Sequence, residues 1–221
     1  CARRLTPVTS TSAVVDAGAG TLADQAYAQI KQMIFDFALM PSDRFSESEL
    51  AQRVAVSRTP LRQALQRLER EGFLQVMPKI GWQVAPLDFD TFDELYDLRV
   101  LIECHAAQML AAAEPRDALH TLAEQWLVPA TERLANAVAV GVLDEQFHGL
   151  LVQASGNREM SRVHREITER IRIIRRLDFT KPARVEATYD EHARILRAVT
   201  RRRADEAARL LRAHIEQSKL E

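Results

Sequence analysis

Four residues in the second half of the chain have the types and spacing to hold a metal ion. Asp144 and His148 stand four apart in LDEQFHGLL, on one face of one helix, where a carboxylate and an imidazole can point at the same spot. His192 recurs with Val185, Tyr189, Leu196 and Val199 at separations of three, four and seven, and His214 follows Ala207, Leu210 and Leu211 similarly. That periodicity turns both rings toward a helical core. Burying a carboxylate and several imidazoles without partners is costly, and a shared divalent cation removes the penalty by ligating all of them. Separate hydrogen bonds to backbone or carboxylate neighbours would also satisfy each histidine. Spacing alone leaves both readings open.

A second chemistry is concentrated nearer the N-terminus. Between Arg53 and Arg70 lie five arginines (Arg53, Arg58, Arg62, Arg67, Arg70) against one acid, Glu69, although the whole chain has a net charge of only -1. Clustered guanidinium groups are the electrostatic footprint of phosphate binding. Arg58 and Arg62 share a helix face, while Leu61, Leu65 and Leu68 occupy the opposite stripe, so one helix can pack and read at once. Ser57 and Thr59 sit at its start, where free backbone N–H groups favour a phosphate. Lys79 and Gly81, in a following turn, are placed to bring a wing to the minor groove. A solvated basic face is the alternative reading; capping, a short turn and a wing in succession favour duplex DNA.

Carboxylate recognition is a third candidate. Arg99 and Glu103 lie one turn apart, as an exposed pair or as a cavity-facing guanidinium able to grip an organic acid. Arg172 and Arg175, on a neighbouring helix, are weaker effector-binding candidates. His105, His120 and His164 read as structural or surface residues and Trp126 as packing, because their spacing does not converge on the other candidates.

These side chains need elements to position them. Apolar residues recur at threes and fours from Thr21 to Leu39, giving a first helix. Ser46 and Glu49 form a capping box that opens a short helix to Val54. Ala55 and Val56 turn the chain, and Ser57 offers its hydroxyl as the cap of a helix running to Glu71, stopped by Gly72. The runs 73–77 and 82–84, around Pro78-Lys79-Ile80-Gly81, predict a two-stranded wing that ends at Pro86. Beyond Leu87 the pattern is helical, with breaks expected at Glu114-Pro115, Val140-Gly141, Ser155-Gly156-Asn157 and Lys181-Pro182. Pro129 should kink or divide the helix that contains it.

With 221 residues, 47% of them hydrophobic, the chain can bury an ordinary core in two domains. Two distant cysteines support neither a disulfide framework nor a zinc ribbon, and a reducing, cytoplasmic setting is expected. No apolar run approaches the roughly 20 residues a membrane span requires. Residues 1–20 read as a flexible arm, with a minor-groove role for Arg3 and Arg4 the lesser alternative.

VSRTPLRQALQRLEREG, preceded by SESELAQRV, resembles the winged helix-turn-helix signature of the GntR family of bacterial regulators. Residues 21–86 follow that layout. The resemblance implies DNA contacts at Ser57, Arg58, Thr59 and Arg62, with Gly81 in the wing. Phe37-Ala38 and Ser42 depart from the glycines usual there, and Ser48 stands where some members carry a DNA-contacting Arg. Residues 92–221 resemble the FCD effector domain of the FadR-type branch, in DLRVLIE, in D-x-x-x-H followed by ASGN, in EHARIL and in His214. By that resemblance Asp144, His148, His192 and His214 are metal ligands, and Arg99 lies near the effector.

The expected architecture is therefore mainly α. A winged helix-turn-helix over 21–86, three helices plus a β-hairpin, precedes an all-α FCD-like bundle of about six helices over 88–221. The expected protein is a ligand-responsive, homodimeric repressor on a two-fold operator, sensing a small organic acid. Its divalent ion would be zinc foremost, with nickel or manganese open. A metal-dependent hydrolase or oxygenase is the competing function, because Asp plus three His could activate water. It lacks a recurring general base or nucleophile near the ligands. Glu145-x-x-His148 is half of a di-iron motif without its second copy. A purely structural adaptor would leave the inward polar cluster unexplained.

Overall fold

The computed structural model describes residues 20–113, 117–178 and 182–220. Almost all of the N-terminal arm, the break at Glu114-Pro115 and Lys181 lie outside them. Helix α1, Leu22–Phe35, is opened by a capping box in which Thr21 Oγ1 accepts from the Asp24 amide at 3.2 Å and Asp24 Oδ2 accepts from the Thr21 amide at 3.1 Å. It ends four residues before the expected Leu39. Phe37 turns left-handed at φ 56°, and the amides of Ala38 and Leu39 both donate back to the Met33 carbonyl, which folds Leu39 into the core. Ser42 is also left-handed, at φ 73°. The two departures from glycine thus keep glycine-like backbone.

Helix α2, Glu47–Val54, carries the predicted Ser46–Glu49 capping box and ends at left-handed Ala55. Helix α3, Arg58–Arg70, follows after the short turn and buries Leu61, Ala64, Leu65 and Leu68. The expected hydroxyl cap at Ser57 is absent: among the described residues its side chain makes no capping bond, and its extended backbone alone starts the helix. Strands β2 (Leu74–Met77) and β3 (Gly81–Val84) form the wing hairpin. A third strand that the sequence pattern does not show, β1 (Arg44–Phe45), pairs antiparallel with β3, giving the order β1-β3-β2. Two residues are too few to display a strand period.

Asp88 caps α4 (Phe89–Ala112), which runs along the last helix, α9 (Ala204–Leu220). Between them lie α5 (Asp117–Trp126), a 3-10 turn at Ala130–Glu132, α6 (Ala137–Ala154), α7 (Arg158–Asp178) and α8 (Pro182–Thr200). Pro129 divides α5 from the 3-10 turn as expected. The predicted break at Val140-Gly141 is wrong: α6 passes through it. Asn136 Oδ1 accepts from the Ala139 amide at 2.9 Å and fixes the start one turn earlier. A mid-helix glycine costs only about 1 kcal/mol, less than the burial of Val140, Phe147 and Leu151 returns.

Two apolar clusters result. One, with Leu122, Trp126, Phe147 and Tyr189, fills the helical bundle. The other, with Ile30, Ile34, Leu65, Phe73 and Trp82, fills the N-terminal unit and also takes in Ile173 from α7.

Candidate functional site

Inside the bundle, α6 supplies Asp144 and His148, α8 supplies His192 and α9 supplies His214; all four are buried, and one ligand atom from each lies within 4.8 Å of the others. His214 Nε2 is 3.1 Å from His148 Nε2 and 3.2 Å from His192 Nε2. Asp144 Oδ1 is 3.3 Å from His192 Nε2, 3.6 Å from His148 Nε2 and 3.8 Å from His214 Nε2. A first-row divalent ion with N and O ligands near 2.0–2.2 Å needs donors roughly 2.9–3.6 Å apart, from octahedral to tetrahedral edges.

Outer partners fix the rings. His148 Nδ1 lies 2.5 Å from Glu103 Oε2, and His214 Nδ1 lies 2.6 Å from Glu191 Oε2. An ionised carboxylate only accepts, so both Nδ1 atoms carry hydrogen, and each ring presents Nε2 inward as the atom whose lone pair can ligate. Asp144 Oδ1 faces those lone pairs without a hydrogen-bond partner among the described residues. Lone pairs and a carboxylate oxygen converging in a dry interior repel one another unless a cation lies between them. The donor set therefore fits a divalent metal.

The electrostatics agree. Burial pushes His192 well below the ordinary imidazole range and lowers His214, which keeps both neutral and able to ligate. Burial alone would raise Asp144 and Glu103, but the Arg175 guanidinium holds Asp144 well below its usual range, and the contacts of Glu103 with His148 and Arg99 do so for Glu103. His192 also stacks on Phe147, with ring centroids 3.7 Å apart, and meets the edge of Trp126 at 4.1 Å. Trp126 is packing, as expected, but packing that forms a wall of the cluster.

Arg99 and Glu103 are not a surface pair. They are 1% and 0% exposed and 2.6 Å apart. Glu103 is taken up by Arg99, His148 and His164, whose Nε2 is 2.9 Å from Glu103 Oε1. His164, which the spacing had left aside, therefore belongs to the support of the site. So do Arg175, which bonds Asp144, and Glu191, which also receives Arg184 at 3.0 Å. A signal for α7 was present: His164, Thr168, Ile171 and Arg175 recur at four, three and four, one inward stripe. Arg172 is not brought to the cluster. It pairs with Glu145 at 2.5 and 2.9 Å in a groove between α1 and α6. His105 and His120 are exposed.

In the N-terminal unit, Ser57, Arg58, Thr59 and Arg62 form one exposed edge of α3. Arg62 bonds Glu47 at 2.8 Å and Arg58 reaches Ser48 at 3.4 Å, both exposed contacts that a phosphate or base edge can replace. Lys79 is exposed at the wing turn, with φ 67°. Gly81 has a packing role that its wing assignment did not foresee. At φ 127°, a Cβ there would stand 2.7 Å from the Phe45 carbonyl oxygen, so the glycine lets β1 close on β3.

The family comparisons fit this geometry. Residues 22–84 match the model of the bacterial regulatory proteins, gntR family, and residues 94–217 match the FCD domain. The chain is 35% identical over 191 residues to the Nta operon transcriptional regulator of Aminobacter aminovorans, covering 83% of this chain and 86% of that one. It is 30% identical over 193 residues to the uncharacterized HTH-type transcriptional regulator YdhC of Bacillus subtilis, covering 86% of each. The HTH-type transcriptional repressor RspR of Escherichia coli is 24% identical over 197 residues, covering 87% of this chain and 85% of that one. A GntR regulator from Rhodococcus sp. RHA1 has the same fold, with a TM-score of 0.73 at 20% identity over 91% of this chain and 97% of that one. Among the described residues no helix is long and apolar enough to cross a membrane. GntR regulators bind DNA, FCD domains bind small-molecule effectors and often a metal, and the family and these relatives are regulators rather than enzymes. A basic reading helix, a wing and a buried ligand cluster on the FCD helices thus stand together in a chain that belongs to the gntR family of bacterial regulatory proteins, a DNA-binding transcription regulator with an FCD domain.

Proposed function

We propose that this regulator is a cytoplasmic, homodimeric repressor that senses a small organic acid through a metal-bearing helical domain. The observation that carries the reading is a set of buried donors without partners among the described residues: Arg99 Nη1, Arg175 Nε and Nη1, and Tyr96 Oη. They are neighbours. The Arg99 guanidinium lies 5.7 Å from the Tyr96 ring centre, and Tyr96 and Glu103 both act electrostatically on Arg175. Orphaned buried donors are costly, and a carboxylate is the ligand that satisfies several at once.

Asp144, His148, His192 and His214 would hold the ion, with zinc first and nickel or manganese as alternatives; when bound it supplies a Lewis-acidic centre that attracts an anion. Arg99 then recognises the acid, and Glu103 serves by fixing Arg99, His148 and His164. Arg172, tied to Glu145, has a lesser claim. Residues 21–86 act as the reading head and 88–221 as the sensor and dimerisation unit, with 1–20 an arm. Ser57, Arg58, Thr59 and Arg62 contact DNA from α3, with Lys79 and Gly81 in the wing, and two heads match a two-fold operator. Repression follows the relative named a repressor.

Elemental analysis together with calorimetric titration of a carboxylic-acid panel tests the reading. About one divalent ion per chain is expected, with saturable binding of at least one acid that Arg99→Ala abolishes. Metal-free protein indifferent to every acid would sink it.

A further inference from the structure

We infer that α7 is the two-faced element that docks the reading head onto the helical domain and couples the seating of Arg175 beside the ligand cluster to it; the sensory meaning of this coupling rests on the reading above. On one face, Ile173 is buried in the head's own apolar cluster. One turn earlier, Glu169 Oε2 lies 2.7 Å from Lys31 Nζ, a buried ammonium on α1 that also meets Glu71 Oε2 at 3.0 Å and Tyr27 Oη at 2.5 Å. Glu71 is itself the C-terminal cap residue of the reading helix α3. Arg172 lies over the Phe35 ring of α1, 5.1 Å from its centre.

The opposite face belongs to the ligand cluster. His164 bonds Glu103, and Arg175 bonds Asp144. Ile173 and Arg175 are two residues apart, about 200° around the helix axis, so one short segment contacts both cores. Over two turns a helix moves as a unit. Re-seating Arg175 therefore displaces Glu169 and Ile173, and a buried ion pair and a close-packed side chain do not follow by stretching. Such interfaces switch between discrete arrangements.

Hydrogen exchange of the full chain, read over peptides of α1 and α3, tests the coupling. Glu169→Gln and Arg175→Lys are each expected to speed exchange there about fivefold or more, although the bond Arg175 makes lies within the helical domain. Leu211→Ala opens a cavity in α9, away from α7, and is expected to speed exchange in α8 and α9 while α1 and α3 keep wild-type rates. Wild-type rates in α1 and α3 of a folded Arg175→Lys protein, or equal acceleration there in Leu211→Ala, would overturn the proposal. Should Arg175→Lys fail to fold, Glu169→Gln decides alone, and unchanged exchange overturns it. Elemental analysis of the same samples separates the two readings, because a protein without metal defeats the sensor assignment and leaves the exchange result standing.

Discussion

Glu191 Oε2 lies 2.6 Å from His214 Nδ1. The carboxylate stands outside the four-residue cluster, yet it sets the tautomer and the tilt of one of its rings, with Arg184 steadying it from the other side. Glu191→Gln should lower metal affinity by about 10- to 100-fold, measured by competition with a chromophoric chelator. The side chain is only half-buried, so the fold should persist. Unchanged affinity would remove its orienting role.

Protonation gives the metal-free protein a definite pH profile. His192 and His214 are held below the ordinary 6.5 by burial, so the unfolded chain takes up protons first as the pH falls through that value. The unfolded state then binds more protons than the folded one, and stability falls with falling pH. Asp144 and Glu103, whose folded values are depressed, contribute stability that is present above the ordinary carboxylate range and lost as the pH drops through those folded values. The Tm of chelator-treated protein should therefore decline steadily from about pH 7 to about pH 4. A flat profile would contradict the buried neutral imidazoles.

Arg62 is exposed and, among the described residues, its ion pair is with Glu47. Arg62→Ala should weaken operator binding by about 1–3 kcal/mol without changing metal content or Tm. Fluorescence anisotropy on a labelled duplex would read the loss. Equal affinity for wild type and variant would take Arg62 out of the interface.

Gly81→Ala tests the other half of the wing. The added methyl meets the Phe45 carbonyl oxygen at 2.7 Å in a backbone region unfavourable to alanine, at a cost of about 1–3 kcal/mol. Thermal unfolding should show this before any DNA is added. A variant as stable as wild type that still failed to bind DNA would make Gly81 a contact rather than a packing residue.

Much of this was legible in the residues. The capping box at Ser46 and Glu49, the Leu61–Leu65–Leu68 stripe and the inward spacing of His192 and His214 are local patterns that hold in the fold, whereas the Ser57 cap and the break at Val140-Gly141 are local patterns that do not. What escaped was relational. Nothing near His164 in sequence announces Glu103, 61 positions away, and β1 closes on β3 where Gly81 leaves room for the Phe45 carbonyl. Arg172 had the right chemistry and helix but the wrong face, since Glu145 lies across from it. Phe37 shows the converse: the departure from glycine was visible, while its outcome, an early helix end with the left-handed turn retained, depends on Leu39 finding the core.

Ile173 gives the chain a seam that does not follow its sequence. A cut after Pro86 would separate the two named halves cleanly on paper and leave a hole in the smaller one, where a side chain from far downstream had been sitting. The excised N-terminal piece would be a weakened body, so its affinity for a duplex would underreport that of the whole.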